Sequence, residues 1–434
     1  MDTNPLNSRQ INLKTRRKTL PIAIVTILYA NVSQGAAVNW VPNSDGFWDV
    51  VTNWSSDPNL PGISDDVLID VGGATTRTIT HRSGTDTIKS LNSQEAFVKS
   101  FGTLNINETS SFANAYTQTN GSLGGTGDVS IAGTATLTGG TMTGVATTSA
   151  NGATVINGSF SLSNGRTLAL NGDTEWNAGS PSINNTATLI NSAGSTFTTG
   201  INGTIFGNGT FQNNGTFVKN ASTGTTTINP ELQNNGLLDV QSGTVNLAKD
   251  FTNQGVVNIE QGATLTVSAT NFVNGVDGVL QGEGILDPVF SNDLINSGTI
   301  YPGSDGIGSL TVAGDFMQTA SGLLSMEIGG TDTLLDILNI TGDATFGGTL
   351  KVESFGSFVP EVGDIFTLIT FDGLGSGVFA SLEASAFTGL GFETVYNADN
   401  VQLKVISAAP VPVPAAMWLF MSGMFSVLFV RKRR

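Results

Sequence analysis

The sequence predicts an all-β fold, a single-stranded right-handed parallel β-helix, and three observations predict it. The first is a repeat within residues 189–301: an apolar residue, an asparagine two places on and a glycine close behind. The copies include Leu189-Ile-Asn191, Phe211-Gln-Asn213-Asn-Gly215, Leu232-Gln-Asn234-Asn-Gly236, Phe251-Thr-Asn253-Gln-Gly255, Phe272-Val-Asn274-Gly275 and Leu294-Ile-Asn296-Ser-Gly298. Successive asparagines are roughly 20 residues apart, which is the period of a stacked solenoid. The second is alternation without helical periodicity: Gly215-Thr-Phe-Val, Gly236-Leu-Leu-Asp-Val and Gly255-Val-Val-Asn-Ile each read as a corner followed by a short strand. The third is composition: 54 glycines, 12% charged residues and an abundance of Thr, Asn and Ser, which supply turns and short strands. Disorder is the rival for so polar a chain, but 39% of it is hydrophobic, and those residues are spaced rather than scattered.

So short a repeat cannot close a core of its own, so each coil must share its interface with the coils above and below. Asn191, Asn213, Asn234, Asn253, Asn274 and Asn296 recur at one corner and are expected to form a structural ladder, trading side-chain amide hydrogen bonds from coil to coil as in cross-β stacks. At about 4.8 Å per coil, residues 101–406 would hold about 15 coils in a rod roughly 70 Å long.

In chain order, residues 1–36 read as an export signal. Arg9, Lys14, Arg16, Arg17 and Lys18 precede the apolar run that starts at Leu20 and ends at Ala30, and small residues follow around Ser33 to Ala37. That run is short for a membrane span. Residues 37–100 differ from the repeats and carry Trp40, Trp48 and Trp54, bulky side chains suited to covering the open end of a solenoid. An alternative use of three tryptophans is a platform for carbohydrate. Residues 101–300 are the repeat body. Residues 301–406 continue as β-rich sequence, with Ser309-Leu-Thr-Val312 and Phe366-Thr-Leu-Ile-Thr370.

Two resemblances rest on these residues. The pattern Trp48…Asn53-Trp54…Pro61…Asp65-Asp66-Val67-Leu68-Ile69 resembles the N-terminal cap of autotransporter-type β-helical proteins. The stretches around Asp315 and from Leu338 to Leu350 resemble the C-terminal section of autotransporter passengers. No outer-membrane barrel follows, so export by that route is not expected. Residues 407–434 carry the more specific signal. Pro410-Val-Pro412-Val413-Pro414 leads into an apolar run with Trp418, Ser422 and Gly423, then Arg431-Lys432-Arg433-Arg434. A stiff proline segment, an apolar helix and a basic stop leave the body outside and the basic end cytoplasmic. This tail resembles the PEP-CTERM sorting signal, with Val413 where the name-giving motif has Glu. The resemblance implies recognition by an exosortase-type membrane protease or transpeptidase, a transient stay in the inner membrane, and delivery to the cell surface or extracellular matrix of a Gram-negative-type bacterium.

Chemistry is sparse. With His81 the only histidine and no cysteine, metal sites built on paired His or on Cys are excluded within the chain. His81 reads as a surface or cap residue. The only basic residues between 101 and 300 are Arg166, Lys219 and Lys249, in unrelated contexts, and acids such as Asp173, Glu175, Asp239, Glu260 and Glu283 share no period. A polysaccharide lyase or hydrolase on this scaffold is therefore the second reading, and a permanently anchored ectodomain the third. Without residues 1–36 and 410–434 the body holds 9 basic against 33 acidic side chains, a net −24. Nucleic acid and anionic lipid are repelled by such a body. No cofactor is expected, and the acidic surface attracts calcium without specifying a site. The function expected is that of a non-enzymatic structural or adhesive protein of a surface or biofilm matrix, in contact with extracellular polysaccharide.

Overall fold

Short strands in triplets, one triplet per coil, build the whole described chain. The computed structural model describes residues 37–289, 293–304, 306–330 and 334–408. The export-signal residues 1–36 and the sorting residues Pro412, Val413, Pro414, Trp418, Ser422, Gly423, Arg431, Lys432, Arg433 and Arg434 lie outside them. One coil runs Thr210–Asn213, Thr216–Lys219, Thr225–Ile228, and the next begins at Glu231–Asn234. Strands pair in parallel with their counterparts one coil away in three sheets of sixteen strands, the last two strands of the third sheet alone joining in antiparallel sense. The sole helical segment among the described residues is one 3₁₀ turn, Val51–Asn53. The protein is thus an all-β parallel solenoid.

Alternation sets inside and outside. In Thr210–Asn213, Phe211 and Asn213 are buried and their neighbours face outward, and the same two-residue period recurs through the sheets. Stacked Phe197 and Phe217, with ring centroids 5.4 Å apart, show how equivalent side chains from adjacent coils fill the core.

The two ends are closed differently. At the start, Trp40, Trp48 and Trp54 are buried, with centroids 5.1 and 4.6 Å apart, and Trp54 Nε1 donates to Trp48 O at 2.8 Å. Burial removes the tryptophans as a carbohydrate platform. Regular coils begin at Asp66–Ile69, Thr78–His81 and Thr85–Ile88, inside the stretch read from sequence as a cap. At the far end, Asn400–Ser407 and Leu390–Tyr396 add to the third sheet in antiparallel sense. Phe346, Phe379 and Tyr396 pack together there.

Fewer coils than the expected number, about 15 at one strand spacing each, fall between residues 101 and 406. Coil length explains the shortfall. Ser110 pairs with Val129 after a short step, but Phe316 pairs with Ala344 and Ala344 with Gly375, steps half as long again or more. Excursions such as the one joining Thr349–Ser354 to Ile365–Phe371 absorb the extra residues.

Candidate functional site

Four polar features stand out against this core. The largest is internal. Asn191, Asn213, Asn234, Asn253, Asn274 and Asn296 occupy the last position of consecutive strands in the first sheet, in register, and all are buried. Each Nδ2 donates to the Oδ1 of the next coil's asparagine, at 2.8, 2.8, 2.9, 3.0 and 2.9 Å, and Asn296 donates to Gln318 Oε1 at 3.2 Å. Every amide therefore points the same way. The second Nδ2 hydrogen goes to a backbone carbonyl at the start of the second sheet one coil on: Thr216, Leu237, Val256, Val279, Thr299 and Leu323. The column faces the core beside the aliphatic groups, so each asparagine braces the corner from within. At its head, Asn191 Oδ1 is buried without a hydrogen-bond partner, because the preceding coil presents Leu170.

The glycines of the repeat answer to the same corner. A Cβ on Gly236 would lie 2.0 Å from Gly215 O, and one on Gly255 would lie 2.2 Å from Gly236 O. Stacked corners approach too closely for any side chain. Gln318 extends the column and was missed in the sequence, where only asparagines were sought; its place one repeat period beyond Asn296 was the available signal.

The second feature lies at another corner near the start. His81, Lys99 and Gln118 stack in register at the ends of second-sheet strands. His81 is buried, not on the surface, with its ring nitrogens 3.0 Å from Phe101 O and 2.8 Å from Asp86 Oδ2. Lys99 donates to the carbonyls of Phe101 and Gly102, and burial pushes its ammonium down to about 8, against the opposing pull of Asp86. Lys219 takes the equivalent place farther on, donating to Ser222 O at 3.1 Å and Ser222 Oγ at 2.7 Å. Arg166 is also inside, held by Thr148 Oγ1, and burial lowers its pKa. Of the three basic residues between 101 and 300, only Lys249 remains exposed.

A third set is acidic. Asp336 is buried and accepts from Gly308 N at 2.9 Å and Glu327 N at 2.7 Å, and burial raises its carboxyl to about 7 in spite of both bonds. Among the described residues no group of three or more His, Cys, Asp or Glu is placed to hold a metal ion.

The fourth feature is a groove of about 810 Å³ on the outside of the first sheet, lined among others by Glu231, Gln233, Lys249, Asp250, Thr252 and Gln254. Asp250 is committed to its neighbours, accepting from Thr270 N and Oγ1 and from Asn271 N and Nδ2. Glu231 Oε1 accepts from Gln233 Nε2 at 2.9 Å. Of the acids isolated in the sequence, Asp239 accepts from Asn258 Nδ2 at 2.9 Å, and Asp173 accepts from Thr196 N at 2.9 Å. Asp250, Asp239 and Asp173 thus tie one coil to the next, whereas Glu231 bonds within its own strand.

Comparison with known proteins agrees with the architecture. No family profile matches the chain. A segment of 88 residues is 34% identical to the Adhesin BmaC autotransporter of Brucella suis biovar 1 (strain 1330), covering 19% of this chain and 2% of that protein. The chain thus matches only a small fraction of that relative's length. The fold and this likeness define the class: a parallel β-solenoid similar in part to an autotransporter adhesin.

Proposed function

We propose that this chain is an exported, non-enzymatic protein of the cell surface or extracellular matrix, structural or adhesive in role, sorted through residues 410–434 by an exosortase-type membrane enzyme. The observation that carries the reading is the use of polar groups. The internal amides and the buried Lys99 and Lys219 are spent on bracing corners, and the outward carboxylates of Asp173, Asp239 and Asp250 bond to adjacent coils, which is how a scaffold spends them. The partial likeness to an adhesin supports the surface role. The net −24 of the body supports a partner that is neither nucleic acid nor anionic lipid, and extracellular polysaccharide is the partner proposed. The coil is proposed to wind right-handed, the sense that nearly all parallel crossovers take.

Deleting residues 410–434 tests the sorting step. The truncated chain should keep its circular dichroism spectrum and melting temperature, yet leave the surface fraction on a cell-fractionation blot. Unchanged surface display would refute sorting by this tail. Mass spectrometry of the surface form separates sorting from permanent anchoring, since retention of Trp418 to Arg434 means that no cleavage took place. Turnover of a polysaccharide by the purified chain, lost in Glu231→Gln, would replace the scaffold reading with an enzymatic one.

A further inference from the structure

The three outer faces of the solenoid differ in charge. Ten consecutive strands of the third sheet, from Thr85–Ile88 to Thr264–Val267, contain one charged residue, Asp86, and it is turned onto buried His81. The other two sheets present Asp66, Glu175, Glu231 and Asp239 on their strands. What the third sheet presents instead is hydroxyl. Thr85, Thr103, Ser122, Thr141 and Ser161 stand in one row in register, all facing outward. Farther along, Thr225, Thr244 and Thr264 form a row, with Thr227, Asn246 and Thr266 beside it. Parallel strands fix the spacing at about 4.8 Å between coils and about 6.6 Å between the rows of one strand. Phe206 and Gly124 interrupt the pattern.

From this arrangement we infer that the outer face of the third sheet is the docking surface for a neutral, insoluble polysaccharide, an inference that rests on the surface role proposed above. Charge decides the class of partner. An acidic polymer meets a strongly negative body with no cation on this face, and a basic partner would settle on the carboxylates of the other two faces. A neutral polyol brings groups that both donate and accept, as the Thr, Ser and Asn side chains do. Each hydroxyl contact is weak, contributing about 0.5–1.5 kcal/mol net. Rows that run over five coils and, beyond the interruption, over three more engage a repeating polymer many times at once, and such contacts reinforce one another without a deep pocket.

The purified full chain is co-sedimented with microcrystalline cellulose and with chitin as probes, in low and in molar salt. Retention that is indifferent to salt is expected, because no ion pair contributes. The triple variant Thr141→Glu, Thr244→Glu and Thr264→Glu should lose about tenfold of the bound fraction, since each carboxylate would be desolvated against the polymer. Its melting temperature, read in parallel, must stay that of the parent for the comparison to count; Thr141→Lys with Thr264→Lys serves if it does not. The control Gln212→Glu with Thr188→Glu, on the first sheet, should bind as the parent does. Equal loss in the control, no loss in the third-sheet variant, or no retention on either neutral polymer overturns the inference, whether or not an acidic polysaccharide or ice is bound instead. A chain correctly displayed on cells that fails these assays sinks this inference alone and leaves the sorting proposal standing.

Discussion

Two stretches of the first sheet make the same structure with opposite materials. From Phe112 through Ile131 and Ala150 to Leu170, the inward position at the end of each strand is apolar; from Asn191 to Gln318 the same position is an amide. Strand pairing continues unbroken across the change. The corner differs. Downstream, the residue after the glycine bonds back to the preceding coil, as Leu237 N does to Gly215 O at 2.9 Å and Val256 N to Gly236 O at 2.8 Å. Strands of the second sheet accordingly start one residue earlier, Thr216–Lys219 and Leu237–Val240 against Tyr116–Gln118 and Ala135–Leu137. The carbonyl of that added residue takes the asparagine's second hydrogen. An apolar column fills space, whereas an amide column fills space and also fixes the turn. A buried polar column is tolerable only when its members satisfy one another, which the successive side-chain hydrogen bonds achieve.

The sharpest way to break this comparison is to exchange the two materials. Asn234→Leu strips a donor from Asn253 Oδ1, an acceptor from Asn213 Nδ2 and a brace from Val256 O, and should cost about 3–5 kcal/mol in denaturant unfolding. Ile131→Asn, the reverse exchange upstream, buries an amide with apolar neighbours and should cost about 2–4 kcal/mol. Gly236→Ala forces stacked corners apart and should cost about 1–3 kcal/mol.

A smaller effect concerns the buried cation. Lys99 has its pKa lowered to about 8 from an ordinary value of 10.5. Between those values the unfolded chain holds a proton that the folded chain has released, so this group makes stability rise with pH there. Lys99→Met should flatten the rise above pH 8, read from melting curves taken across that window. The smallest effect is expected from Leu170→Asn, which offers Asn191 Oδ1 the donor it lacks. Stability should change by no more than about 1 kcal/mol, because a gained hydrogen bond offsets lost apolar burial.

The contrast also explains what the sequence made legible. The parallel solenoid could be read because a polar residue in an apolar column stands out: the asparagines from Asn191 to Asn296, one period apart, mark a coil each. Upstream, Phe112, Ile131 and Ala150 do the same geometric work with residues too common to mark a period, so coils between residues 66 and 190 left only a trace of alternation. The interior placement of the asparagines was not legible. A corner position says nothing about which way a short side chain turns, and only stacking decides it. His81, read as a surface or cap residue, is buried for a related reason: carbonyls at the inner side of a corner accept buried donors, as they also do from Lys99, that sequence rules place on the surface. The groove around Lys249 and the uncharged third face depend on which residues of distant coils share a side, which a period supplies only once the register is known.

A double-mutant cycle on Asn213 and Asn234 tests the amide column most directly. If the two side chains act as one bonded unit, Asn213→Leu and Asn234→Leu together should cost less than the sum of the single changes by about 1 kcal/mol or more. Costs that add to within about 0.5 kcal/mol would contradict it, leaving the asparagines as independent fillers of a core held by its apolar residues alone.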